Sequence, residues 1–148
     1  MAAAKNVQET LKVSLLRNGQ VPKRGTAGAA GLDLRSAYGR VLKAHSTGVV
    51  YTHVRVKIPS GHYGRIASRS SLAIEGVEVG AGVVDEDYTG EIKVILHNLS
   101  AVDFRIREGD RIAQLIIEPY IMPEIEVCQD WEYETARGFR GFGSTGRK

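Results

Sequence analysis

The chain has 148 residues, 43% hydrophobic and 25% charged, with a formal net charge of +3, which is ordinary globular composition at a length that buries its own core as one domain. No apolar run approaches the roughly 20 residues of a membrane helix, and the opening segment lacks the apolar centre of a secretory signal. The lone cysteine, Cys128, excludes an intramolecular disulfide and a cysteine-built metal cluster; a reducing compartment, cytoplasm or nucleus, is expected, and the mild positive charge suits a polyphosphate as well as a nucleic acid.

Residues 1–10 are expected to be a flexible lead-in, 11–136 a β-rich domain, and 137–148 a mobile arm. Turn signals recur at Asn18-Gly19, Val21-Pro22, Gly39, Gly48, Pro59-Ser60-Gly61, Gly76, Thr89-Gly90 and Glu108-Gly109-Asp110. Between them lie short runs rich in β-branched and aromatic residues: 11–16, 49–58, 62–67, 91–97 and 111–118. This spacing predicts an all-β, antiparallel sandwich or barrel. Alternation in the second run sets Val54, Val56 and Ile58 on one face. Nothing holds a helical period for three turns, and residues 70–75 predict a single helical turn.

Five segments depart from ordinary strand or turn sequence. In 29–37, small residues and Gly31 permit close backbone approach, and Asp33 lies between Leu32 and Leu34, so as a strand it faces away from both. In 64–73, Arg69 precedes Ser70 and Ser71 at the start of the helical turn, a combination of guanidinium, hydroxyls and amides that suits an anion, although a plain Ser cap beside a surface Arg has the same outline. In 80–90, a glycine-spaced apolar run ends in Asp85-Glu86-Asp87-Tyr88 before a new strand, the sequence form of a β-hairpin. Asp85 follows Val83 and Val84, so it is expected at the edge of a dry wall, where desolvation raises carboxylate basicity and suits removal of a proton from water; a plain turn-forming Asp is the alternative. In 108–116, alternation sets Ile112 and Gln114 on one face and Ala113 and Leu115 on the other. There Asp110 and Arg111 read as a turn residue and its ionic neighbour, and Gln114 needs a polar partner. The arm, in which Arg137, Phe139, Arg140, Phe142, Ser144 and Thr145 are interspersed with four glycines, Gly143 among them, suits either an anion nest with an aromatic cover or a disordered RNA-binding tail.

These five segments, in this order and at these intervals, resemble the homotrimeric dUTPases (deoxyuridine triphosphate nucleotidohydrolases) over nearly the whole chain. The resemblance implies a distorted, jelly-roll-like β-barrel of the dUTPase β-clip type with a flexible glycine-rich C-terminal arm. It implies a homotrimer with shared active sites that hydrolyses dUTP to dUMP and pyrophosphate, limiting uracil incorporation into DNA and supplying dUMP for thymidylate synthesis. By the same resemblance Asp85 is the base that activates water against the α-phosphate, and Asp33 reaches a Mg2+ ion indirectly, through water, the ion being held mainly by substrate phosphates. Arg69, Ser70, Ser71 and Gln114 contact phosphates; Gly82 and Lys93 present backbone groups to uracil; Tyr88 packs under the deoxyribose. Arg137, Gly143, Ser144 and Thr145 contact the γ-phosphate, and Phe142 covers the base. No membrane partner and no stable nucleic-acid complex are expected. Leu32, Ser68, Thr89 and Arg140 depart from common members; Ser68, where Pro is usual, is expected to loosen the phosphate segment. The dCTP deaminases, which share the broad fold, and a non-catalytic nucleotide or nucleic-acid binder are the competing readings.

Overall fold

A computed structural model describes residues 9–130, 134–144 and 146. The described residues form β1 (Lys12–Leu15), β2 (Leu32–Arg35), β3 (Arg40–Leu42), β4 (Thr47–Lys57), β5 (His62–Ala67), α1 (Ser70–Ala73), β6 (Val77–Gly80), β7 (Val83–Val84), β8 (Glu91–Asn98), β9 (Phe104–Ile106) and β10 (Arg111–Pro119). Two four-stranded sheets, ordered β1-β4-β8-β6 and β2-β10-β5-β7, are joined by a β3-β9 ribbon, and all pairings are antiparallel. No helix among the described residues is long and apolar enough to cross a membrane.

Alternation drives the layering. Along β4 every second residue is buried, Val50, Val54 and Val56 among them. Both sheets and the ribbon feed one core that includes Leu34, Leu42, Val94, Leu96, Ile106 and Leu115. Full burial of each such side chain is worth about 1.5–3 kcal/mol, so this shared core holds the sheets face to face. Each sheet keeps two edges, so the all-β, jelly-roll-like fold is confirmed as an open barrel that is not closed by hydrogen bonds.

Two local features shape the sheets beyond what alternation predicts. The β4–β8 register shifts between Tyr51 and Arg55, with His53 at φ 54°, and the Thr52 hydroxyl donates to the Ile92 carbonyl at 2.6 Å; such a bulge adds local twist. Asn98 is 1% exposed, and its amide nitrogen reaches the carbonyls of Leu42, Lys43 and Val102 at 3.0, 3.1 and 2.8 Å. Its carbonyl accepts from the Ser100 hydroxyl at 2.7 Å, so one buried amide ties the end of β3 to the β8–β9 turn. Strands β3, β6, β7 and β9 were absent from the runs read in sequence; at two to four residues each, they are too short to show a period.

Candidate active site

Strand β10 runs between β2 and β5 and so brings three of the singled-out segments together. Gln114 lies opposite Asp33 of β2 and Ala67 of β5. Its amide donates to the Ser68 carbonyl at 2.9 Å, which supplies the polar partner it needs. A Cβ on Gly31 would lie 2.2 Å from Gln114 Oε1, so the small residues before Asp33 make room for the glutamine.

Asp33 is where this cluster becomes electrostatic. One carboxylate oxygen lies 3.6 Å from Arg69 Nε and the other 3.7 Å from Arg111 Nη1, and Arg69 Nη1 donates to the Arg111 carbonyl at 3.1 Å. Charge-assisted hydrogen bonds close at about 2.7–2.9 Å; these pairs are looser, and both guanidinium groups keep donors for an external anion. Ser70 and Ser71 are exposed at the start of α1, where Arg69 is extended and no side chain caps the turn. Arg69, Leu72, Phe104, Asp110, Arg111 and Ile112 line an adjoining cleft of about 240 Å³.

Two sequence expectations are corrected here. Arg111 is the ionic neighbour of Asp33, not of Asp110, which accepts from the Arg107 amide at 2.8 Å. The cause is a register shift between Arg111 and Ala113, which also breaks the expected alternation: Ile112 and Ala113 are both buried, at 1% and 0% exposure. The Ser68 hydroxyl accepts the Val79 amide of β6 at 2.9 Å, a contact a proline at this position would not make. Arg111 is therefore a site residue that sequence reasoning passed over, because the extra residue of a bulge leaves no mark in the hydrophobic pattern.

A second cleft, of about 210 Å³, opens between β6–β7 and β8 and is lined by Gly82, Asp85, Tyr88 and Lys93 among others. The β6–β8 ladder ends at Gly80 opposite Ile95. Beyond it the chain leaves for the other sheet, where Val83 and Val84 pair with Arg65 and Gly64 of β5. The hairpin is therefore formed by β6 and β8, and the apolar run before Asp85 pairs elsewhere, contrary to the sequence reading. Gly82 makes this departure feasible: its φ is 114°, its carbonyl accepts the Ile66 amide at 2.7 Å, and an added Cβ would lie 2.5 Å from the Ile66 oxygen.

Past β7 the chain turns with the Tyr88 amide donating to the Asp85 carbonyl at 3.1 Å. The Tyr88 hydroxyl donates to the Glu91 carbonyl at 2.8 Å, and its ring lies where a Cβ on Gly90 would fall, 2.6–3.0 Å away. The Lys93 ammonium sits 5.2 Å from the Tyr51 ring centroid, so its side chain is engaged on an aromatic face. Asp85 is exposed. Of the two valines expected to form a dry wall behind it, Val84 is buried at 5% exposure and Val83 is 69% exposed, so only the nearer one supplies it.

Within the arm, Arg137, Phe142, Gly143 and Ser144 are exposed, and Phe142 and Gly143 both have positive φ, 50° and 77°. The hydrogen bonds described for this stretch run within it or back to Thr135 and Ala136, as between the Arg137 Nε and the Arg140 carbonyl at 3.0 Å. Thr145 lies outside the described residues. One chain thus unites Asp33, Arg69 and Gln114 beside Ser70 and Ser71 and gathers Gly82, Asp85, Tyr88 and Lys93 at a second cleft; none of the described arm residues lines either cleft.

The sequence model of the dUTPase family matches residues 17–146. The chain is 49% identical over 142 residues to the deoxyuridine 5'-triphosphate nucleotidohydrolase of Candida albicans, covering 94% of this chain and 89% of that one. It is 47% identical over 140 residues to the enzyme of that name from Saccharomyces cerevisiae, covering 93% and 95%. Among solved structures, the dUTPase of Staphylococcus bacteriophage 80alpha with dUPNHPP superposes with a TM-score of 0.88 at 31% identity, over 93% of this chain and 98% of that one. A mutant dUTPase from phage phi11 of S. aureus, described as revealing the coordination of a structural Mg(II) ion, does so with a TM-score of 0.79 at 29% identity, over 84% and 100%.

Proposed function

The chain belongs to the dUTPase family, and from that premise we infer its reaction: hydrolysis of dUTP to dUMP and pyrophosphate, which limits uracil incorporation into DNA and supplies dUMP for thymidylate synthesis. The observation that carries the substrate assignment is the cleft at Gly82, a glycine-shaped opening between two strands beside an exposed aspartate. A base read by main-chain groups in such a narrow opening is selected by its donor and acceptor order, which rejects cytosine, and by shape, which rejects the thymine methyl.

In the mechanism we propose, Asp85 accepts a proton from a water molecule as the water oxygen attacks the α-phosphorus. The bond from that phosphorus to the α–β bridging oxygen breaks, and pyrophosphate leaves with the oxygen. Tyr88, held over Gly90, packs against the deoxyribose and leaves no room for a 2′-hydroxyl. Arg69, Ser70, Ser71 and Gln114, joined by Arg111, neutralise and orient the phosphates, which is most of what phosphoryl transfer asks of a protein. Arg137, Gly143, Ser144 and Thr145 close on the γ-phosphate, with Phe142 over the base.

Magnesium belongs to this reading as an ion carried by the substrate. Among the described residues no three His, Cys, Asp or Glu side chains converge, and Asp33 already faces two arginines. That donor set fits an ion that keeps its waters and its phosphate ligands, with Asp33 reaching it through water. Bound there, it supplies charge neutralisation on the triphosphate.

A homotrimer with shared sites is part of the proposal. Its support is that the phosphate-binding cluster and the Gly82 cleft are lined by different residues of one chain, while Asp85 at the second stays exposed. Ile121, Met122, Ile125 and Val127 are 80–94% exposed after β10, an apolar stretch suited to cover by a neighbouring copy. The division into a 11–136 body and a 137–148 arm that closes over the site belongs to the same reading. We place the reaction in cytoplasm or nucleus, in keeping with a lone, exposed Cys128, with neither a membrane nor a nucleic acid as a stable partner.

The test is pyrophosphate release from dUTP set beside dTTP, dCTP and UTP, with and without magnesium. Release from dUTP alone, by an active species of about three times the protomer mass in solution, supports the reading. Ammonia release from dCTP overturns it.

A further inference from the structure

The Asp85–Tyr88 turn is exposed at Asp85, Asp87 and Tyr88, but Glu86 between them is partly buried. It is anchored to two distant parts of the body. One oxygen, Glu86 Oε2, accepts from the Gly61 amide at 3.0 Å and from the Tyr120 hydroxyl at 3.1 Å. The Gly61 carbonyl in turn accepts the Tyr120 amide at 3.1 Å. The three residues therefore close a ring of hydrogen bonds in which each touches the other two.

Each member is placed by its own element. Gly61, at φ 77°, forms the tight turn between β4 and β5, a conformation glycine adopts without strain. Tyr120 follows β10 directly, where the chain leaves the second sheet. Its ring meets Tyr63 edge-on, with centroids 5.8 Å apart; the Tyr63 hydroxyl donates to Glu118 at 2.5 Å, and Glu118 pairs with Arg65 at 2.9 Å. Behind the ring, then, stands a second, charged network on β5 and β10. The donors around Glu86, the Gly61 amide foremost and then Ser60 and Tyr120, hold its carboxyl below the usual carboxylate range, so it accepts as a carboxylate at neutral pH.

We propose that Glu86, Tyr120 and Gly61 form a clamp that positions the Asp85 turn, making Glu86 and Tyr120 positioning residues for hydrolysis without contact to substrate. A general base delivers its effect only at hydrogen-bond reach of the water it deprotonates, and small misplacement of a reacting group costs rate steeply. Asp85 has no hydrogen-bonded side-chain anchor of its own among those described here, so its placement falls to its neighbour. The clamp also fixes the turn relative to the root of the C-terminal segment, which starts at Tyr120.

This inference rests on Asp85 as the base, and the experiment separates the two. Steady-state kcat and KM for dUTP are measured for the full-length protein and for Asp85→Asn, Glu86→Ala, Glu86→Gln and Tyr120→Phe, each checked for its thermal transition. The clamp predicts a kcat loss of about 10-fold or more for Glu86→Ala, a smaller loss for Tyr120→Phe, and KM within about twofold in both. Glu86→Gln recovers most of the rate, since one amide oxygen can accept both bonds. An unchanged kcat in folded Glu86→Ala, or a rise in KM alone, overturns the clamp while an inactive Asp85→Asn leaves the base assignment standing. A fully active Asp85→Asn overturns the base itself.

Discussion

The hydroxyl of Ser68 accepts the backbone amide of Val79 at 2.9 Å. This joins the phosphate segment to the edge of the strand that leads into the Gly82 cleft, so two parts of the site that differ in chemistry share one hydrogen bond. Proline at this position would offer no acceptor, and the Val79 amide would turn to water. Ser68→Ala is expected to lower stability by about 0.5–1.5 kcal/mol, as for one intramolecular hydrogen bond, measured by urea denaturation, and to raise KM for dUTP more than it lowers kcat.

Asp85→Asn keeps the shape of the turn and removes the proton acceptor. The expected loss in kcat is about 10²- to 10⁴-fold, with dUTP binding by titration calorimetry little changed. A weakened affinity with kcat intact would assign Asp85 to binding instead.

Gly90 lies against the Tyr88 ring, so selectivity against ribose should respond to a methyl group at a distance. Gly90→Ala places a Cβ within 3.0 Å of that ring and must shift it. The ratio of kcat/KM for dUTP over UTP is expected to fall in this variant, and Tyr88→Ala should reproduce the fall.

Ending the chain after Ala136 removes Arg137, Phe142, Gly143, Ser144 and Thr145 but none of the buried core. The thermal transition and the sedimentation coefficient of the assembly are expected to persist while dUTP hydrolysis is lost. Retained hydrolysis would leave the arm without a catalytic role.

Acid should expose a second set of contacts. Hydrogen bonds and charges from Arg65 and then Tyr63 lower the Glu118 carboxyl, and those from Lys43 and then the Ala44 amide lower that of Asp103. A carboxyl lowered in the folded state adds stability above its unfolded value, about 4, and that stability is lost as pH falls through the lowered folded value. Urea midpoints are therefore expected to decline below about pH 4, and Asp103→Asn should flatten the decline.

Much of the fold was legible because alternation is a local property. The run containing Val54, Val56 and Ile58 pointed to a half-buried strand, and those residues are buried in β4 and just after it. The single helical turn expected over residues 70–75 is observed as α1, Ser70–Ala73. Asn98 was not legible as a structural anchor, since its five described side-chain hydrogen bonds lead to residues on both sides of it in the chain; Asn98→Leu, which strands the carbonyls of Leu42, Lys43 and Val102, is expected to cost about 1–3 kcal/mol.

By itself, then, the order of residues determined the all-β class, the segments that carry chemistry and the family, because residue type and spacing survive without coordinates. Tertiary structure alone decided that Arg111 faces Asp33, that Val83 and Val84 pair with β5 and not with β8, and that Glu86 is held by Gly61 and Tyr120. Each of those depends on a bulge, a crossing between sheets or a contact 25 to 78 positions away in the chain, which no local period encodes.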